Sequence, residues 1–158
     1  MTDTNPGAST SNSKFIKAPQ QTIYQAFTDP AALAVWLAPG DMTGVVHNFD
    51  YRVGGGYKMS LYYPSSQSQP QGKTSEREDR YIARFVELSP PHKIIEAITF
   101  ETADPSFSGE MLMEITLEPE DDGTTVTIVF RDIPWGIKPE DNELGTQLTL
   151  ENLARFVE

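Results

Sequence analysis

Between residues 42 and 131 the apolar positions repeat every second residue, and over the last twenty they repeat every third and fourth, so the chain divides into a run of strands and a closing helix. The plainest alternation is at 110–118. Met111, Met113, Ile115 and Leu117 fall on one side, and Glu110, Leu112, Glu114, Thr116 and Glu118 on the other, giving a strand with one dry and one wet face. Glu120-Asp121-Asp122-Gly123 then makes a solvated hairpin turn of the Asp-Gly type, and Thr124 to Arg131 returns with Val126, Ile128 and Phe130 on one side. Further strands are predicted over 14–17, 42–49, 57–63, 77–88 and 93–102. The total is about seven, in antiparallel succession.

From Pro139 to Glu158 the pattern is that of a long amphipathic helix. Leu150, Leu153 and Val157 share one face, with Thr146, Thr149 and Phe156 on its flanks. Leu144 and Leu148 fall outside that stripe. Two shorter helices are predicted after the first strand. Gln20 to Phe27 carries Ile23, Ala26 and Phe27 at helical spacing. A second helix runs from Pro30 to about Leu37, with Asp29 as its cap, Pro30 in its first turn, and Leu33, Trp36 and Leu37 on its buried side.

The polar, Pro- and Ser-rich composition of residues 1–12 predicts a flexible leader, leaving 13–158 as one domain. Pro64 to Ser75, rich in Ser, Gln and Pro, predicts a flexible connection at a hairpin tip. Gly54-Gly55-Gly56 lies between two predicted strands rather than between a strand and a helix, which marks a turn and not a phosphate loop. Asp50 and Arg52 are expected to hold that turn by pairing.

A chain of 158 residues is the size of one domain. Its formal net charge of −11 repels phosphate backbones and anionic lipid, so neither nucleic acid nor membrane insertion is expected. It has no cysteine and only two histidines, and no cofactor or metal is expected. With no apolar run long enough to cross a bilayer and no signal-peptide pattern at its N-terminus, a cytoplasmic location is the default.

A sheet with one dry face needs a cover, and the terminal helix alone is long enough to supply it. Space between the two is the candidate site. The dry faces nominate Tyr57, Met59, Leu61, Ile98, Phe100, Met113, Ile115, Ile128 and Phe130 as lining, and Met111 with the other methionines would adapt to more than one ligand. The helix adds Thr146, Thr149, Leu150 and Leu153. Trp36, a buried aromatic, and Trp135, in a Pro-Trp-Gly loop where a cavity mouth would lie, complete the set. The plain alternative for most of these is core packing. No catalytic residue is assigned: His47, Arg84 and Glu96 are acid-base candidates, none in a recognised spacing, and no Ser-His-Asp order is present.

Taken in order, Ala26-Phe27-Thr28-Asp29-Pro30 with Leu33 and Trp36-Leu37, Phe49 to Tyr57, Val86-Glu87-Leu88-Ser89-Pro90-Pro91, and Asp132 to Glu143 resemble the activator of heat-shock protein ATPase homologue-like (AHSA) family of the START/SRPBCC superfamily. The resemblance covers about 13–158. It implies an α+β helix-grip fold: a curved antiparallel sheet of about seven strands around a long C-terminal helix, with two short helices after strand 1 and a hydrophobic tunnel beneath the long helix. It implies little about activity, since the chaperone-activating role belongs to relatives that carry a second domain. The expected function is non-catalytic binding of a hydrophobic small molecule or lipid between sheet and helix. Two rivals stand beside it. One is a polyketide cyclase- or dehydratase-like enzyme, which needs His47 or Glu96 in the cavity with a shifted pKa. The other is a stress-linked protein-interaction module, contacting a chaperone or forming a homodimer through Leu144 and Leu148.

Overall fold

The computed structural model describes residues 7–38, 42–63 and 78–158. The connection expected at 64–75 lies outside the described residues. Among the described residues ten strands and α-helices follow in order, with a short 3₁₀ turn at Pro105–Phe107 between the fifth and sixth strands: β1 (Ala8–Ile16), α1 (Gln20–Thr28), α2 (Pro30–Trp36), β2 (Thr43–Asp50), β3 (Gly56–Tyr62), β4 (Glu78–Ser89), β5 (Lys93–Phe100), β6 (Glu110–Glu120), β7 (Gly123–Ile133) and α3 (Pro139–Val157). The strands form one antiparallel sheet in the order β1-β7-β6-β5-β4-β3-β2, so the two helices after β1 carry the chain from one sheet edge to the other.

The period of two decides which side chains meet. Register pairs Ile98 with Met111 and Ala83, and Ile128 with Ile115. The residues buried on the inner face therefore continue from strand to strand, while Arg131 and Lys93 pair with Glu114 on the wet face. Asp29 caps α2 as expected, its carboxylate accepting from the Ala31 amide at 3.0 Å with Pro30 in the first turn. The glycine turn joins β2 to β3. Arg52 pairs with Asp50 at 2.7 Å, and Gly56, at φ 149°, lies so close to the Ala83 carbonyl that any Cβ there would collide with it.

One expectation is overturned. The first strand begins at Ala8, not Lys14, and residues 8–12, expected as part of a flexible leader, pair with β7 as the sheet's edge. Their polar side chains serve α3 instead of a core. Thr10 Oγ1 donates to Asn142 Oδ1 at 2.6 Å, and Asn12 Nδ2 donates to the Glu143 carbonyl at 3.2 Å. At its other end α3 meets the segments that flank the α1–α2 pair. There Asn152 Nδ2 donates to the Ala38 carbonyl at 2.7 Å and the Glu158 carboxylate accepts from the Lys17 amide at 3.0 Å. The helix is held at both ends across the sheet.

Candidate functional site

Beneath the N-terminal half of α3 lies a cavity of about 720 Å³. Its floor is the inner face of the central strands, including Tyr81, Ile98, Phe100, Met111, Met113, Ile128 and Phe130. Its roof is Leu144, Gly145, Thr146, Leu148 and Thr149. The exposed lining residues Lys138, Asp141 and Leu144 gather at the first turns of α3 and mark the opening. Farther along, Phe27 and Leu37 from the short helices and Leu61, Tyr63 and Asp79 from β3 and β4 close the wall. Along the C-terminal half of the helix Leu150, Leu153 and Ala154 are packed into the core, and a smaller, more open space of about 380 Å³ lies between α2 and α3, lined by Trp36, Ala38, Asn152 and Phe156 among others.

The position along α3 sorts the residues nominated from sequence. Leu61, Ile98, Phe100, Met113, Ile128, Phe130, Thr146 and Thr149 line the cavity. Met59, Ile115, Leu150 and Leu153 do not: they are fully buried core, on levels of the sheet and helix where side chains fill the space. Tyr57 is also core, its hydroxyl donating to Glu96. Trp36 is a pin between the short helices, its indole N–H donating to the Ala26 carbonyl at 3.0 Å and its ring meeting Phe27 edge-on at 4.7 Å. Trp135 points away, 80% exposed, although its neighbours Gly136 and Ile137 border the cavity. Leu144 is exposed as expected, but Leu148 is half-buried in the roof, so the pair belongs to the cavity wall as much as to the surface.

The cavity's polar groups are few and differ in kind. Thr146 and Thr149 donate back to the helix carbonyls of Asn142 and Gly145 at 2.8 and 2.9 Å, which leaves their oxygens as acceptors toward the cavity. On the sheet side, Asp79 is a buried carboxylate whose Oδ2 accepts from the Tyr63 hydroxyl at 2.9 Å. Burial raises the Tyr63 phenol, and the Asp79 charge raises it further. Tyr81 is raised in the same way, by burial first and then by Glu96. These phenols stay protonated donors.

Behind Tyr81 lies Glu96, 1% exposed, accepting from the Tyr57 hydroxyl at 3.0 Å. Burial pushes its carboxyl from the usual 4.5 up to about 7, against the Tyr57 hydrogen bond, which acts downward. Of the acid-base candidates, only Glu96 faces inward. His47 pairs with Lys58 on the other face of the sheet, 3.3 Å from the Ser60 hydroxyl, and Arg84 pairs with Glu110 in solvent at 3.2 Å. Sequence reasoning missed Tyr63, Asp79 and Tyr81. Their parity along β3 and β4 was the available signal, obscured by the charged residues that surround them. Among the described residues no cluster of His, Asp and Glu has the makings of a metal site, and no helix is long and apolar enough to cross a membrane.

Comparison with known proteins agrees with this architecture. A crystal structure of a protein from Chromobacterium violaceum superposes with a TM-score of 0.84 at 35% identity, over 95% of this chain and 96% of that one. An AHSA1-like protein from Aeromonas hydrophila is similar in fold, with a TM-score of 0.71 at 19% identity over 95% and 92% of the two chains. A protein from Arthrobacter aurescens gives 0.75 at 17% identity over 99% and 92%. No curated protein matches significantly. Residues 17–158 match the family described as Activator of Hsp90 ATPase homolog 1-like protein, and the chain belongs to that family, a helix-grip domain of the SRPBCC type.

Proposed function

We propose that this protein binds a lipophilic small molecule in the cavity beneath α3 and performs no chemistry on it, acting in the cytoplasm as a carrier or sensor. The observation that carries the reading is the cavity itself. At about 720 Å³ it falls in the range of small-molecule sites, and an apolar floor with a few convergent polar groups is the usual make-up of such a site. Burial of ligand surface at about 25 cal/mol per Å² supplies the affinity, and the hydroxyls and Asp79 select orientation. The test is native mass spectrometry after incubation with lipids, sterols and aromatic metabolites. Retention of a discrete molecule, lost in Gly145→Phe, supports the reading. The Gly145 Cβ would enter open space in the roof, so the phenyl ring fills the cavity without displacing a neighbour of the backbone. No retained molecule from any class counts against it.

A catalytic reading has one observation in its favour, the inward Glu96 with its raised pKa. As an acid or base it would act through Tyr81, and turnover of an enolisable aromatic ketone abolished in Glu96→Gln would establish it.

A further inference from the structure

Glu96 does not itself line the cavity. It sits on the inner face of β5 between Ile94 and Ile98, and among the described residues no lysine or arginine pairs with it. A buried carboxyl without a cation is uncommon, because removing the charged form from water is unfavourable and nothing local offsets it. Around it, β3 contributes the Tyr57 hydroxyl, and β4 contributes Phe85 and the Tyr81 hydroxyl, which interacts with both Tyr57 and Glu96 and also feels Asp79. β6 contributes Met113, which has no charge. Across the cavity, α3 and the loop before it bring Asp141 and Lys138 to the opening. Tyr81 and Met113 line the cavity while Glu96 stands behind them.

We infer that the Tyr81–Tyr57–Glu96 set makes this cavity selective for ligands with a neutral hydroxyl head, an alcohol, over ligands with an anionic head. The inference rests on the binding reading above. With the Tyr57 proton given to Glu96, the hydrogen bond between the two tyrosines takes the Tyr81 proton, so the Tyr81 oxygen is the polar atom this wall presents, able to accept from an alcohol. An anionic head at that oxygen finds no donor there and brings its charge toward Glu96, and the single cationic side chain among the described lining residues, Lys138, is at the opening. The selectivity carries a pH signature. Glu96 gains its charge as pH rises through about 7, so discrimination against an anion increases from pH 6.0 to 8.5.

The experiment is displacement of Nile red by 1-decanol and by decane-1-sulfonate, which stays anionic throughout, at pH 6.0 and 8.5, in the wild type, Glu96→Gln and Lys138→Ala. In the wild type the decanol midpoint is expected to hold steady while the sulfonate weakens about tenfold from the lower to the higher pH. In Glu96→Gln the sulfonate is expected to lose that pH dependence. Should Glu96→Gln fail to fold by thermal melting, Tyr81→Phe serves instead, with decanol expected to weaken about three- to tenfold and the sulfonate to change little. A sulfonate midpoint that ignores pH in the wild type, or pH dependence that survives Glu96→Gln, overturns the inference. Tight sulfonate binding abolished by Lys138→Ala overturns it too, by placing the head at the opening. If neither Nile red nor either probe binds, the cavity-binding reading itself falls; binding without discrimination sinks only the selectivity.

Discussion

Replacing Glu96 by Gln should make the protein more stable at alkaline pH and leave it nearly unchanged in mild acid. The folded carboxyl titrates near 7 and the unfolded one near 4.5, so between these values the native state holds the proton more strongly. Stability from this group is therefore fully present below about 4.5 and is lost as pH rises through about 7. The interval of roughly 2.5 pH units, at about 1.4 kcal/mol each, sets the loss at ~3 kcal/mol above pH 8. Glutamine removes the titration and keeps an acceptor for the Tyr57 hydroxyl, so at pH 5 the two proteins should agree within about 1 kcal/mol. Urea unfolding of both at intervals from pH 5 to 9 measures the difference, in which every other carboxylate cancels. The variant should gain about 2–3 kcal/mol across the series, or roughly 4–12 °C in Tm for a chain of this size. A difference that stays constant with pH would refute the assignment of a buried, proton-linked carboxyl.

Other expectations concern the frame around the cavity. Gly145→Ala should stabilise by about 0.5–1 kcal/mol, since its Cβ meets open space and the helix interior favours alanine; a loss in thermal melting would mean that the space is filled. Asp29→Ala should lose about 1 kcal/mol by urea unfolding through the missing cap on α2. Trp36→Ala should lose about 3–5 kcal/mol as the pin between α1 and α2 disappears, while Trp135→Ala should stay within about 0.5 kcal/mol of the wild type. Equal effects at the two tryptophans would contradict their opposite burial.

The seven strands, the three helices, the cap at Asp29 and the pairing of Asp50 with Arg52 could all be read from the sequence, because each follows from periods of two or 3.6 and from local turn chemistry. What could not be read is which inward residues meet space and which meet each other. Leu150 and Thr149 are neighbours on one helix, yet one is packed and the other lines the cavity, because which inward side chains fill the space is decided by partners far away in sequence. Composition also misjudged residues 8–12. Ala-Ser-Thr-Ser-Asn has too little apolar surface to fold alone, but an edge strand needs mainly backbone pairing, and β7 provides it. Glu96 lay in plain parity with Ile94 and Ile98, and its charge argued against the burial that the alternation implied.

The tethering of β1 to α3 has a practical consequence for handling this protein. Trimming the chain back to Ser13, as its composition invites, would strip five residues from the margin of the sheet and uncover the β7 backbone that pairs with them. The same cut would take away the Thr10 and Asn12 bonds that moor the start of α3 over the cavity opening. A shortened recombinant form would therefore tend to self-associate along β7 and to hold its ligand loosely, two defects that a tag placed ahead of Gly7 avoids.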